Sequence, residues 1–533
     1  MAFSFNTSQQ ISIFDATSSL TQREKKMLDK SWAKFFAEEL FPAIDEAPFK
    51  VLYSDRPSRY NTPVNIIIGA LILKEVHGLT DEEIVEELPF DIRFKYALHT
   101  TSFEEQPLNN RTLGRFRARC HAYAQATGID LIHDCIVKLS SLMAELMNLN
   151  SGLRRMDSLM VASNIKKMSR LELLYTCVAN LCRLMVKLKD TKLPESMKHY
   201  TEDDDRNIVL YHNRSEDTDS KIRSVLDDAS VLISACGSEY DDCSEYQLLI
   251  RVINEQTTTD ENGVINLKKK ASGMGSDILQ NPADPDATFV KKAGKEHIGY
   301  IANVVETSDS EKSIVTEYQF EQNKYSDSKF LKDYIEQLPD NADPSILTTD
   351  GGYCGNENSK LAAAKNVTLV TTDLKGSGVN DIWADFEFSA DGTKVLKCAA
   401  GNVPKSNVYN KCDQKCKVSF PINTCKSCPL FERCKPKLYK RVASLKVAQR
   451  TKHHASQQRF LKTDDFKKLA KYRNGVETIP AALRKRHNVD HMPVRGLLRC
   501  RIFFGFKVAA LNVRKFVRYM AGLDKCASNP ALA

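Results

Sequence analysis

Leu153–Ser163 reads LRRMDSLMVAS, and Ser345–Gly352 reads SILTTDGG. Both are short apolar runs bounded by turn residues, the pattern of buried strands. Each carries one aspartate: Asp157 inside the first, just after Arg154 and Arg155, and Asp350 at the end of the second. If the two strands are neighbours in one sheet, both carboxylates reach the same edge. Gly351 and Gly352 would then let backbone and another molecule come close there. A strand-end aspartate before Gly-Gly is also an ordinary turn residue, so the pair alone leaves the chemistry open.

Between the two runs lies a segment, 164–280, that reads as helical, with amphipathic stretches at Leu171–Leu188 and Ile222–Ala235. Strand signals then return. HIGYIANVVET (297–307) and SIVTEYQFEQ (313–322) are rich in aromatic and β-branched residues, and the turn-like SDSEK between them predicts a hairpin. A helix over Ser328–Gln337 and a polar loop with Pro339 and Pro344 lead into SILTTD. Strand, helical interruption, hairpin, helix, strand is the layout of an α/β sheet domain with a helical insert. No fixed-period repeat is present.

Upstream, residues 1–145 read as an all-α module. Thr62-Pro63 offers a cap and a first-turn proline ahead of the apolar Val64–Val76 run, and Thr80 with Glu83 has capping-box spacing. Asn109–Cys120, NNRTLGRFRARC, carries Arg111, Arg115, Arg117 and Arg119. Two short helices precede it, so it fits a recognition helix entering a DNA groove; a solvated helix face is the other reading.

The chain has 533 residues, which suggests about three or four units by length. Apolar residues make up 42% and charged residues 27%, a globular balance that excludes disordered and fibrous classes. The most apolar stretches, Val64–Val76 and Ile502–Val513, are too short for a bilayer, and Lys507 interrupts the second. MAFSFNTSQQ lacks the features of a secretory signal, so a cytoplasmic protein without a membrane partner is expected, nucleoid-associated when bound to DNA. Its fifteen cysteines then read as reduced thiols or metal ligands. The formal charge of +8 is unevenly placed, with about 24 Lys and Arg against about 5 Asp and Glu in Lys435–Ala533. Tyr439, Phe460, Tyr472, Phe503 and Phe504 interleave with those charges, a pattern suited to nucleic acid.

Three segments resemble those of bacterial insertion-sequence transposases of the DDE class: RMDSLMVASNIKKMSR (155–170), LTTDGGYCGNEN (347–358) and YRNGVETIPAALRKRHNVDHMPVRGL (472–497). The order and neighbouring sequence agree, including RPSRYNTPVNIIIGALILKEVHGLTDEEI (56–84) and DPDATFVKKAGKEHIGY (284–300), so the resemblance covers nearly the whole chain. It implies an RNase H-like fold in which Asp157, Asp350 and Glu477 bind Mg2+ or Mn2+. DNA phosphoryl transfer needs two such cations about 3.5 to 4 Å apart, and hard cations take oxygen ligands.

The family's third motif is a Tyr, Arg, Glu, Lys set. Arg473 lies four positions before Glu477, on one face if the segment is a single helix, and Arg484 stands at the Lys position with Lys485 beside it. Arg473, Arg484 and Lys485 are therefore expected at DNA phosphates. Tyr472 departs from the pattern by touching Arg473 directly. Pro480 departs too: either the helix kinks after Glu477, or it begins near Thr478 with Glu477 at its mouth.

Before Glu477 come Cys425, Cys428 and Cys434, which with Cys398 supply the four thiolates of a closed zinc site; Cys412 and Cys416 form a competing pair. The resembling transposases have a similar cysteine pattern, closest to Cys398, Cys425, Cys428 and Cys434. Structural Zn2+ is expected, with free thiols and an iron–sulfur cluster as the other readings. Lys405, Lys411, Lys415, Lys417 and Lys426 surround the cysteines and offer phosphate contacts.

The expected organisation is a helical domain over 1–145 for DNA binding or dimerisation. An RNase H-like α/β domain over 150–525 follows, interrupted by a helical insert, 164–280, and a cysteine-rich insert, 396–436. The expected function is metal-dependent cleavage at insertion-sequence ends and strand transfer into target DNA by a homodimer on double-stranded DNA. The alternatives are a zinc-containing DNA-binding protein without catalysis, or a hydrolytic nuclease of the same fold.

Overall fold

A computed structural model gives the structure of the chain and describes all residues except 7–14, 57–58, 103–107, 150–151, 212–216, 260–264, 269–274, 293, 310–311, 341–342, 354, 372–378 and 529–533. It divides into two compact units: Met1–Asn150 with Ser158–Ser326 and Thr478–Ala533, and Ser151–Asp157 with Asp327–Glu477. Strand β1, Leu153–Ala162, contributes residues to both.

In the first unit, the helix Val64–His77 is apolar all round and buried from Val64 to Lys74, as a central core helix must be. Its cap differs from expectation. Pro63 stands just outside the helix, and the Glu46 carboxylate accepts from the Val64 and Asn65 amides at 2.7 and 3.2 Å. A buried carboxylate there satisfies two orphan donors and meets the positive end of the helix. Thr80 and Glu83 do form the expected capping box at the start of Asp81–Phe90. The long helix Leu497–Ser528 packs on Val64–His77, and Lys507 inside it is buried with partners: Glu75 Oε2 at 2.9 Å and the His487 carbonyl at 2.6 Å. That contact lets a lysine interrupt an apolar run, because a buried charge is tolerated only when paired.

The amphipathic stretches of 164–280 become the helices Arg170–Lys187 and Thr218–Ala235. With Ser244–Gln256 they bury Leu174, Val178, Leu226, Ala229 and Leu249 in a common core. Beside them are β2 (Thr257–Thr259) and β3 (Ile265–Leu267), a short antiparallel pair. Then come β4 (Thr288–Lys292), β5 (Lys295–Ser308) and β6 (Ser313–Gln322), with β5 antiparallel to both and a neighbour of β1. The expected hairpin is β5 with β6, paired from Tyr300↔Gln322 to Ser308↔Ser313; part of its SDSEK turn lies outside the described residues. The open side of β6 is met by Asn512. Val315 N–H donates to Asn512 Oδ1 at 3.0 Å, and Asn512 Nδ2 donates to Val315 O at 2.7 Å and Ser140 Oγ at 2.9 Å.

In the second unit, β1 pairs in parallel with β7 (Ser345–Thr349), which pairs in parallel with β8 (Val367–Thr371). The β7-to-β8 crossover carries the helix Asn356–Ala364, as parallel neighbours require. The expected helix before β7 spans Asp327–Gln337. A small pair, β9 (Glu387–Phe388) and β10 (Val395–Lys397), precedes β11 (Ser406–Asn410), β12 (Lys415–Pro421), β13 (Lys437–Leu438) and β14 (Val442–Val447). These last four form an antiparallel sheet in the order β11-β12-β14-β13. The helices Gln449–Phe460 and Asp464–Asn474 follow. This mixed α/β architecture with a helical N-terminal region is consistent with the expected RNase H-like fold. No helix among the described residues is long and apolar enough to cross a membrane.

One contact in the first unit makes stability depend on pH. Burial opposes the charged form of His133, but Glu317, 2.7 Å from Nε2, outweighs it with help from Asp130 and Asp134 and pushes the imidazole up to about 9. A folded-state value above the ordinary 6.5 contributes stability that is full below about 6.5 and lost as pH rises through about 9. The melting-temperature advantage of the natural chain over Glu317→Gln is therefore expected at pH 6 and should have largely vanished by pH 10.

Candidate active site

The register of β1 on β7 places the first two carboxylates. Leu153 lies against Ile346, Arg154 against Leu347 and Arg155 against Thr348. Carried two residues further, the same offset sets Asp157 level with Asp350, on parallel neighbours about 4.8 Å apart. Asp350 follows the last residue of β7 and accepts the Gly352 N–H at 2.6 Å, at the mouth of the 3-10 turn Gly351–Tyr353.

A Cβ on Gly352 would stand 2.7 Å from Asp327 Oδ2 and 2.9 Å from Asp350 Oδ1. There is no room for one, and the same geometry puts Asp327 beside Asp350. Sequence reading missed Asp327, because an acid in the first turn of a helix has an ordinary explanation in the helix dipole.

Glu477 ends a 3-10 turn, Gly475–Glu477, between the helices Asp464–Asn474 and Thr478–His487. Of the two arrangements open to Pro480, this is the one with Glu477 at a helix mouth. Pro480 is the third residue of its helix, where an N–H has no acceptor within the helix and its loss costs little. Arg473 and Glu477 therefore do not share one continuous helix, yet they meet: Arg473 Nη1 lies 3.3 Å from Glu477 Oε1, while Nη2 lies 3.5 Å from Asp157 Oδ1. Arg473 and Asp157 expose only 13% and 14% of their side chains, Glu477 63%. The inner pair is thus the less screened of the two, and Glu477 presents its carboxylate to solvent.

Tyr472 acquires a role here. Its hydroxyl donates to the Leu153 carbonyl at 3.1 Å, and the Arg155 guanidinium lies 5.1 Å from its ring centre while donating to the Tyr472 carbonyl at 2.8 Å. The two contacts clasp the end of Asp464–Asn474 to β1, holding Arg473 against Asp157. Gly475 makes the clasp possible, since a Cβ there would come 2.0 Å from Arg155 Nη1.

The remaining basic candidates lie in the first unit. Arg484 is tied down there, Nε to Asp490 Oδ2 at 3.1 Å and Nη2 to the Met160 carbonyl at 2.8 Å, while Lys485 is exposed. On the helix Asn110–Thr127, Arg111 and Arg115 are exposed; Arg117 is held by Asp81 and the Phe503 ring, and Arg119 by the Tyr53 ring. Two of the four arginines are thus part of the packing.

Cys398, Cys425, Cys428 and Cys434 line one apolar cavity with Ile382, Phe420 and Leu430. Burial first, then the neighbouring thiols, pushes Cys434 up to about 12 and also raises Cys425. Mutual repulsion of this kind is what a bound dication relieves. The competing pair is not in this cavity: Cys416 faces the sheet core and donates to the Thr393 carbonyl at 3.2 Å, and Cys412 is exposed. Among the described residues, no three Cys, His, Asp or Glu side chains are arranged as they stand to hold a metal ion.

A family model described as Transposase DDE domain matches residues 397–517, and another, Transposase domain (DUF772), matches residues 23–119. Both matches are to transposase domains, and together they support a DDE-type insertion-sequence transposase with an N-terminal domain. The DDE match covers the four cavity cysteines, Arg473, Glu477 and Arg484, and the N-terminal match covers Arg111 and Arg115. Asp157 and Asp350 fall outside both matches, so their place rests on the β1–β7 register. No curated protein and no solved structure matches the chain.

Gly475→Ala is expected to displace Arg155 and open the clasp. The cost should be roughly 1 to 3 kcal/mol, as for other overpacked sites. Urea unfolding of the full chain checks it, and an unchanged midpoint would remove Gly475 from the clasp.

Proposed function

We propose that this transposase cuts DNA at the ends of its element and joins the freed 3′-hydroxyl to target DNA. Two observations support the reading: the β1–β7 register, which carried two residues on sets Asp157 level with Asp350, and Arg473, which lies 3.5 Å from Asp157 and 3.3 Å from Glu477. DDE transposase domains use divalent metals, and these oxygen donors suit Mg2+ or Mn2+. When bound, a pair of such ions activates the attacking oxygen and steadies the leaving one.

Asp157, Asp350 and Glu477 hold the ions. Arg473 keeps Asp157 and Glu477 in place and clamps phosphate, and Arg484 clamps phosphate once its contact with Asp490 yields. Arg111, Arg115 and Lys485 grip the duplex. Cys398, Cys425, Cys428 and Cys434 hold a structural zinc ion that orders the cysteine-rich insert. The domains are 1–145 for end recognition or dimer contacts, and 150–525 for catalysis, with inserts at 164–280 and 396–436. A homodimer brings the two ends together.

The deciding experiment incubates the full chain with an end-containing duplex, a target duplex and Mg2+ or Mn2+. Asp350→Ala is expected to abolish nicking and joining while leaving duplex affinity within about twofold; nicking by this variant would remove Asp350 from the catalytic set. Cutting without joined products identifies a nuclease, and metal-independent binding without cutting identifies a DNA-binding protein. Elemental analysis of the purified chain should find zinc, and Cys428→Ser should lose it; zinc retained by that variant would overturn the thiolate set.

A further inference from the structure

The sheet β11-β12-β14-β13 has two unlike faces. Cys416, Val418, Phe420, Leu445 and Val447 turn inward to its core. The alternate residues turn out, and the register sets Lys446 and Val408 opposite Lys417, Asn410 opposite Lys415, and Lys437 opposite Ser444. Directly opposed residues share a face. Lys415, Lys417, Lys446 and Lys437 therefore stand on one face, along a diagonal that crosses three strands. At about 4.8 Å between strands and about 3.4 Å of rise per residue, that diagonal is roughly 17 Å long.

An ordinary solvated face mixes charges of both signs. The other paired positions on this face are Ser406, Ser419, Ser444, Val408, Asn410, Pro421 and Val442, none of them acidic. Lys417 faces Lys446 directly, and like charges so placed destabilise a sheet. Some exposed lysines elsewhere find acids, as Lys192 does with Glu239 and Lys397 with Glu387. Among the described residues these four lysines form no ion pair. Tyr439, which is exposed, lies 5.7 Å from Lys437 and adds an aromatic surface.

The missing counter-charge has to come from outside and to be spread along a line. Duplex DNA carries a negative charge about every 1.7 Å of its axis, so the roughly 17 Å diagonal spans several phosphates. We propose that the outer face of this sheet binds the backbone of double-stranded DNA through Lys415, Lys417, Lys437 and Lys446. The proposal rests on the reading that DNA is the transposase's partner. It singles out one face of the insert and leaves the other lysines around the cysteines outside it.

The test measures affinity of the full chain for a duplex across a salt series. Replacing all four lysines, Lys415→Gln, Lys417→Gln, Lys437→Gln and Lys446→Gln, is expected to reduce the slope of log affinity against log salt by about 0.9 for each phosphate that is no longer neutralised, hence by about 2 to 4. A control, Lys187→Gln, Lys189→Gln, Lys292→Gln and Lys295→Gln, removes the same net charge from exposed sites elsewhere and should leave the slope unchanged. Should the fourfold variant fail to fold, the pair Lys417→Gln and Lys446→Gln is expected to give about half the change. Equal slopes for natural chain and face variant would overturn the proposal, as would equal reductions in face variant and control. A natural chain that binds no duplex overturns the DNA reading itself, a distinct outcome.

Discussion

The parallel pairing of β1 with β7 is the constraint on which the candidate site depends. Side chains alternate across a strand, so a slip of one residue would turn Asp157 to the opposite face and away from Asp350. Apolar residues guard the register: Met156 and Leu347 are almost wholly buried, and exposing them would cost more than any single polar contact returns. Gly152 helps, since a Cβ there would meet the Pro344 carbonyl at 2.7 Å just before the pairing begins.

The third carboxylate is secured differently. Glu477 sits where two helices meet at a 3-10 turn, a place with little regular hydrogen bonding of its own. Its position is inherited from Arg473, and that of Arg473 from the stacking of Arg155 on Tyr472. A strand thus orients a helix end, which orients an exposed acid. The arrangement leaves Glu477 the most exposed of the residues that Arg473 holds, and the freest to shift.

Much of this was legible in the sequence where the signal was local. Apolar runs marked the strands carrying Asp157 and Asp350, aromatic and β-branched residues marked the hairpin of β5 and β6, and Thr80 with Glu83 announced a helix start. The spacing of Arg473 and Glu477 brought them together even though the helix between them breaks. What stayed hidden was distant in the chain. Glu46 caps a helix that begins 18 residues later, Tyr472 reaches Leu153 across 319 residues, and Lys507 finds Glu75 across 432. Asp327 was hidden for another reason: its local setting already explained it. The lysine face was half visible, because composition showed the charge while only the register could show which lysines share a side.

Asn512 carries a consequence for biosynthesis. It takes up the N–H and carbonyl of Val315 on the edge of β6 from a position 197 residues further along the chain, and Arg501 takes the Phe320 carbonyl. While the polypeptide is still emerging from the ribosome, the Val315 groups stay bare for the time needed to make those 197 residues, although His133 is already there for the Tyr318 carbonyl. An unguarded strand edge recruits other strands, including those of sister chains on the same message. Premature termination before Asn512 would therefore leave a product prone to self-association, and the last long helix serves as the step that retires that hazard.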